Sequence, residues 1–197
     1  MKKTFVVGLT GGIAGGKTLA ADIMAECGAY IIDTDEVSRE LTAPGTAGAR
    51  AVAEAFPAAA TADGFDRRAL KDIVFNSPEG LRRLNAITHP LITAETVRRL
   101  EAAPAGIVVL VVPLLFETGM EKLCDLTVTV SCPENVRIKR LVLRDTIPAE
   151  LARAIVASQL TDAEREKRAG AVLVNDGDIA KFRDEVKALY FQIEERA

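Results

Sequence analysis

The sequence has a single histidine, His89, and only three cysteines, Cys27, Cys124 and Cys132. Thiols that are odd in number and widely spaced make no disulfide framework, and with one imidazole they offer no zinc-ligand spacing. Free thiols in a reducing compartment are the expectation. Long apolar runs are missing too. The stretch "IVVLVVPLLF" (Ile107 to Phe116) is ten residues and contains a proline, against the roughly 20 apolar residues of a membrane span. The basic start "MKKTFVV" breaks into glycines after about five apolar residues, too few for a secretory leader. There is no excess of positive charge. The net charge is -3 with both signs interspersed, unlike the basic surface of a typical nucleic-acid binder. These absences point to a cytoplasmic chain with neither a membrane nor a nucleic acid as partner. At 197 residues it has room for one well-buried domain with an inserted lobe.

The pattern of apolar residues supplies the layout. Thr4 to Leu9 is a short β-branched run and reads as a buried strand. A helix is expected over Thr18 to Glu26, with Leu19, Ile23, Met24 and Cys27 on one face and Gly28 as its stop. Tyr30 to Ile32, Leu126 to Val130 and Val172 to Val174 read as further strands. Ile107 to Val112 is apolar on both faces, as a central parallel strand covered by helices must be. Ile179, Phe182, Val186, Leu189 and Ile193 step by three or four residues and predict a C-terminal helix. Strands alternating with helices give an α/β layered fold with a mostly parallel sheet. Residues of about 36 to 104 differ. They read as helices joined by turns such as "APGTAG" and "TADGFDRR", with no strong strand, and so as a helical insertion.

Among these elements "GLTGGIAGGKT" (Gly8 to Thr18) is the most informative stretch. Five of its eleven residues are glycine. Gly11-Gly12-Ile13-Ala14-Gly15-Gly16-Lys17-Thr18 satisfies G-x-x-x-x-G-K-[ST], which a random chain of this length matches on the order of once in a hundred. Glycines let the backbone curl so that successive N–H groups converge on phosphate oxygens. The helix that follows points its positive end at the same anion. Lys17 is a mobile charge for the β- and γ-phosphates, and the Thr18 hydroxyl is a ligand for Mg²⁺. The motif does not by itself separate a kinase from a switch GTPase or an ATPase.

Carboxylates narrow the choice. The strand "IVVLVV" ends in Pro113, and no acid follows before Glu117. "IIDTD" instead places Asp33 and Asp35 after the strand that follows the loop helix. Strand ends on one edge of a parallel sheet share a crevice. Asp33 is therefore expected near the transferred phosphate, beside Lys17, to accept a proton from an attacking hydroxyl or to hold a magnesium water. Asp35, directly before "EVSREL", suits the cap of the next helix better than Asp33 does.

Arginines form a second constellation. In "ENVRIKRLVLRD", Arg137, Arg140 and Arg144 share one helical face. Such a stripe is either a solvated surface or, with the helix expected over Ala149 to Leu160, a lid whose cations neutralise a transferring phosphoryl group. Arg165 and Arg168 lie just past it. His89, in "NAITHPLI", is either structural or a hydrogen-bond partner of a substrate.

Taken together, the chain resembles the dephospho-coenzyme A kinase family, nearly end to end. "GLTGGIAGGKT" is similar to that family's G-L-T-G-G-I-G-S-G-K-S loop, and "IIDTDEVSREL", with Arg39, to its I-D-A-D segment. "DGFDRRALKDIVFNSP", "LNAITHPLI" and "VVPLLFE" resemble D-G-x-x-D-R-x-x-L-x-x-x-V-F, H-P-x-I and V-P-L-L-F-E. "RLVLRD", "SQL" and "VLVNDG" resemble R-x-x-x-R-D, Q and V-I-x-N-x-G. Phosphate loops are widely shared, whereas H-P-x-I together with V-P-L-L-F-E is far more specific.

The resemblance implies a P-loop NTPase-type fold with a helical acceptor-binding insertion (about 36–104), a helical lid (about 138–165) and a core of about 1–35, 105–137 and 166–197. It implies transfer of the γ-phosphate of Mg·ATP to the ribose 3′-hydroxyl of dephospho-coenzyme A. Gly11 to Thr18 and Arg140 would bind ATP, with Thr18 on Mg²⁺. Asp33, Lys17, Arg140 and Arg144 would carry the chemistry. Asp33, His89, Pro113, Leu114, Leu115, Glu117 and Arg67 or Arg68, of which Arg68 is preferred, would face the acceptor. Two other readings share the loop: another small-acceptor kinase, such as a nucleoside monophosphate kinase, and a catalytically silent nucleotide-binding module. Ala14 stands where the family has Gly, Gly15 where it has Ser, Thr34 where it has Ala and Gly170 where it has Asp. A positive φ at Ala14 would cost about 1 kcal/mol.

Overall fold

The computed structural model describes residues 4–75 and 77–197. The basic start Met1-Lys2-Lys3 lies outside the described residues, as does Asn76 in "VFNSP". Contacts divide the chain into two compact units. One runs to Ile32 and resumes at Ala103, and the other is Asp33–Ala102.

The first unit is built on a sheet. Its strands are β1 (Thr4–Gly11), β2 (Tyr30–Asp33), β5 (Gly106–Val111), β6 (Leu126–Ser131) and β7 (Ala171–Val174), in the order β2-β5-β1-β6-β7. β1 is parallel to β5 and to β6, and β6 is parallel to β7. The helices are α1 (Lys17–Glu26), the single turn α6 (Leu115–Thr118), α7 (Glu134–Asp145), α8 (Ala149–Ala157), α9 (Asp162–Arg168) and α10 (Ile179–Glu194). The period-2 alternation of β1 sends Val7 and Leu9 to one face, where Ile23 and Met24 of α1 and Phe182, Val186 and Ile193 of α10 close over them. The C-terminal stripe is corrected at its start, since Ile179 in the first turn of α10 is 59% exposed while Tyr190 is buried. Gly28, at φ 109°, ends α1 as expected of a glycine stop.

The second unit holds α2 (Thr34–Leu41), α3 (Ala47–Ala55), α4 (Arg67–Phe75) and α5 (Pro78–Ala102). It also contains a hairpin where only a turn was expected. β3 (Ala60–Thr61) pairs antiparallel with β4 (Gly64–Phe65) around Ala62-Asp63. Two residues per strand are too few to leave an alternating signature. Pro90 lies inside α5 and offers no N–H to the carbonyl one turn back. Among the described residues no helix is long and apolar enough to cross a membrane.

Gly8 faces the side of the sheet opposite Val7 and Leu9. A Cβ there would stand 2.5 Å from Cys124 Sγ and 3.2 Å from Leu115 Cδ2. That crowding also desolvates the thiol. Burial, reinforced by Asp125 and Glu121, pushes the Cys124 pKa up to about 12. Gly8→Ala is expected to cost about 1–3 kcal/mol by overpacking. The Gly8→Ala/Cys124→Ala double variant should lose less than the sum of the singles, as read from urea midpoints. The folded thiol keeps a proton that the unfolded chain releases above about pH 9, so its stabilisation is whole below that value and is lost as the pH climbs toward 12. Cys124→Ser should flatten this alkaline loss in midpoints taken from about pH 7 to about pH 11.

Candidate functional site

The loop after β1 turns on two residues with positive φ, Ala14 at 57° and Gly16 at 107°. Ala14 therefore does occupy the left-handed region. Part of its strain is offset because Ile13 and Ala14 pack against Leu141, Ala152 and Val156 of α7 and α8. Gly15 closes the curl by donating its N–H to Gly12 O at 3.1 Å. Gly16 caps α1 without a side chain, so the first N–H groups of the helix have no side-chain cap and can serve an anion. Thr18, in that first turn, is exposed.

The loop carbonyls are held from outside. Lys17 Nζ donates to Gly11 O at 2.8 Å and to Gly12 O at 3.2 Å. Asn175 Nδ2 donates to Gly15 O at 2.9 Å. Arg140 reaches Ala14 O at 3.4 Å through Nη1 and Asn175 Oδ1 at 3.0 Å through Nη2. Gln159 Oε1 accepts the Ile13 N–H at 2.8 Å.

Behind Gly12 lies a buried charge cluster. Asp162 accepts from Arg165 Nη1 at 3.1 Å, pairs with Arg137 Nη2 at 3.6 Å and caps the Cys132 N–H at 3.2 Å. Arg137 is 5% exposed and Arg165 is fully buried. Burial lowers the Arg165 pKa despite Asp162. Arg137 Nη1 occupies the space that a side chain at Gly12 would need. Nε and Nη1 of Arg137 and Nε and Nη2 of Arg165 have no hydrogen-bond partner among the described residues.

The structure separates the arginine stripe of α7. Arg137 is buried at Asp162 and Arg140 is bonded to the loop. Arg144 is not brought to them: its Nε and Nη2 donate to the neighbouring Asp145 at 2.7 and 2.9 Å, and the side chain is 58% exposed. A 3.6-residue period puts all three on one face, but the loop meets only the first part of it. Of the segment after β5, Pro113 O accepts from Thr10 Oγ1 at 3.2 Å. Leu114 is 40% exposed, whereas Leu115 is fully buried as a core residue over Gly8. Glu117 is exposed on α6. On the same turn, Arg168 donates to Phe116 O at 3.3 Å and stacks on its ring. Asn175 and Gln159 have no role legible in the sequence beyond the family marks that contain them, because amides carry no charge signal. At Gly170 a Cβ would stand 2.7 Å from Leu126 Cδ1, so the departure from Asp fits the local packing.

In the second unit Asp33, not Asp35, caps α2: its Oδ1 accepts the Asp35 N–H at 2.7 Å. The helix begins two residues earlier than a cap at Asp35 would start it. One oxygen is used in the cap, and a carboxylate has capacity for further donors. His89 lines a cavity of about 340 Å³ with Ser38, Phe65, Lys71, Asn85 and Arg67. Arg67 also donates to the carbonyls of Arg39 and Thr42 and to Thr42 Oγ1. Arg68, the preferred expectation, is not among the residues lining this cavity. Its backbone N–H is held by Asp66, the acid that precedes α4. Among the described residues no three His, Cys, Asp or Glu side chains are grouped to hold a metal. A Mg²⁺ bound by one hydroxyl and substrate phosphates needs no such group.

A glycine loop between a central parallel strand and a helix, with basic side chains bound to it, defines a P-loop phosphotransferase type of fold. Solved structures agree. A Thermus thermophilus protein is similar with a TM-score of 0.85 and 30% identity, over 97% of this chain and 98% of that one. A dephospho-CoA kinase from Campylobacter jejuni is similar at 0.65 and 25%, over 98% of each chain. A shikimate kinase from Bacteroides thetaiotaomicron, at 0.57 and 16% over 96% of this chain and 98% of that one, shares the fold. The dephospho-CoA kinase family profile matches residues 5–181, and the chain belongs to that family. A dephospho-CoA kinase of Chromobacterium violaceum is 46% identical over 93% of this chain and 91% of its own length. One of Dechloromonas aromatica is 44% identical over 95% and 92%.

Asp162→Ala would leave two buried guanidinium groups without their shared carboxylate. It is expected to cost about 3–5 kcal/mol in chemical unfolding. Arg144→Ala, which breaks only an exposed pair, should cost less than about 1 kcal/mol.

Proposed function

We propose that this protein is an enzyme that transfers the γ-phosphoryl group of ATP to the 3′-hydroxyl of dephospho-coenzyme A, giving coenzyme A and ADP. Family membership over residues 5–181 carries the proposal, and the geometry of the loop supports it. The loop N–H groups and the open end of α1 bind the phosphates. Lys17 follows the β- and γ-phosphates as a point charge. Thr18, exposed in the first turn, is the protein ligand for Mg²⁺, which when bound neutralises charge on the phosphate oxygens. Arg140, bonded to the loop, supplies a cation for the transferring group.

The acceptor oxygen bonds to phosphorus as the bond to the ADP oxygen breaks, and Asp33 takes the hydroxyl proton. In the second unit the cavity beside His89, with Arg67 and Lys71, suits an anionic acceptor; in the first unit Pro113, Leu114 and Glu117 are the residues that the family resemblance gives to the acceptor. The substrates are small molecules and the setting is cytosolic.

Purified protein with Mg·ATP and dephospho-coenzyme A should yield a product heavier by one phosphoryl group, dependent on both substrates. Phosphorylation of a nucleoside monophosphate in its place would transfer the assignment to another acceptor class, and no transfer to any acceptor by protein that binds ATP would leave a silent binding module. Asp33→Asn should lower kcat on the order of 10²- to 10⁴-fold with little change in ATP affinity. Unchanged turnover would remove Asp33 from its role.

A further inference from the structure

Asn175 follows the end of β7 and is 2% exposed. Its backbone N–H donates to Ser131 O at 2.8 Å, which clamps it to the end of β6. Its side chain spans two groups that the proposed reaction needs together. Nδ2 holds Gly15 O at 2.9 Å, and Oδ1 accepts from Arg140 Nη2 at 3.0 Å. The same side chain fills the space beneath Gly16, where any Cβ would run into Nδ2.

Only a primary amide satisfies both partners at once. A peptide carbonyl can only accept, and a guanidinium can only donate. The orientation of the Asn175 amide is therefore fixed by its neighbours. An aspartate would keep an acceptor for Arg140 but turn a carboxylate oxygen toward Gly15 O. An alanine would lose both bonds. The other described contacts of Arg140 are weaker: 3.4 Å to Ala14 O is long for a directed bond, and Cys132 Sγ, at 3.5 Å, is a weak acceptor. Burial also pushes the Cys132 thiol up, which keeps it a neutral neighbour and not a thiolate competing for the guanidinium.

We propose that Asn175 is the positioning residue that holds Arg140 against the phosphate loop, so that the cation and the loop keep one geometry. This rests on Arg140 serving the transferring phosphoryl group. A long, flexible arginine has many rotamers in which its head is misplaced, and a shift of about 1 Å costs up to roughly 10²-fold in rate. Asn175 removes that freedom without touching substrate.

The test is a kinetic cycle on folded protein, reading kcat and the KM for ATP. Arg140→Ala should lower kcat on the order of 10²-fold. Asn175→Ala should lower it on the order of 10- to 10²-fold, and the double variant should fall well short of the product of the two losses, because the bond between Asn175 and Arg140 is already gone in Arg140→Ala. Multiplying losses in the double variant would show that Asn175 acts apart from Arg140 and would overturn the proposal. Wild-type kcat in Asn175→Ala, beside a slow Arg140→Ala, would overturn it too. An unaffected Arg140→Ala would instead sink the assigned role of Arg140 itself. Asn175→Asp is the second variant if the alanine variant does not fold. With its acceptor retained and its donor lost, it should keep more kcat than Arg140→Ala while raising the KM for ATP. A kcat as low as that of Arg140→Ala would count against the positioning role.

Discussion

A loop that turns its N–H groups toward one centre must turn its carbonyls away from it, and each carbonyl then needs a donor elsewhere. That constraint organises the first unit. Lys17 takes the carbonyls of Gly11 and Gly12, Arg140 reaches that of Ala14, and Asn175 takes that of Gly15. The donors come from the start of α1, the middle of α7 and the end of β7. Lys17 is part of the loop itself, so the loop keeps its shape only if two distant parts of the chain arrive beside it. The parallel order β1-β6-β7 delivers both, because β6 leads into α7 and β7 leads into Asn175.

The same arrangement explains why buried charge is tolerated behind the loop. Two guanidinium groups share the single carboxylate of Asp162, and each retains nitrogens without a partner among the described residues. As a stability device this is poor, since desolvation of a cation is seldom repaid in full. As a field it is useful, because positive charge in excess of its counter-ion favours a polyanion across the glycine backbone. Gly12 admits the close approach, as its missing side chain leaves the space that Arg137 fills.

Much of this was legible before any coordinates. The strands, the loop and the C-terminal helix follow from periods of 2 and 3.6 and from glycine spacing, which are local properties of backbone and solvent exposure. The glycine and lysine positions of the loop follow from the geometry of phosphate binding, and the strained Ala14 could be anticipated from its place in the motif. The hairpin at residues 60–65 escaped because its strands are two residues long. The cap of α2 reads in the sequence as Asp35, because it directly precedes the helical run "EVSREL", and only the backbone shows that Asp33 holds the extended conformation of a cap.

Side-chain partnership was not legible, and the reason is physical. Arg137, Arg140 and Arg144 carry the same charge at helical spacing, so pattern alone makes them equivalent. Their roles diverge because a curved loop meets a straight helix over a short distance, leaving one arginine at Asp162, one at Asn175 and one on its neighbour Asp145. The amides of Asn175 and Gln159 are silent in a sequence for a related reason: a neutral group has no long-range signature, and its worth lies wholly in which donor and acceptor stand within about 3 Å. Local chemistry along the chain thus determined the glycine loop and its place between a central strand and a helix. The folding of distant segments onto one another settled which neutral and charged side chains hold those glycines in place.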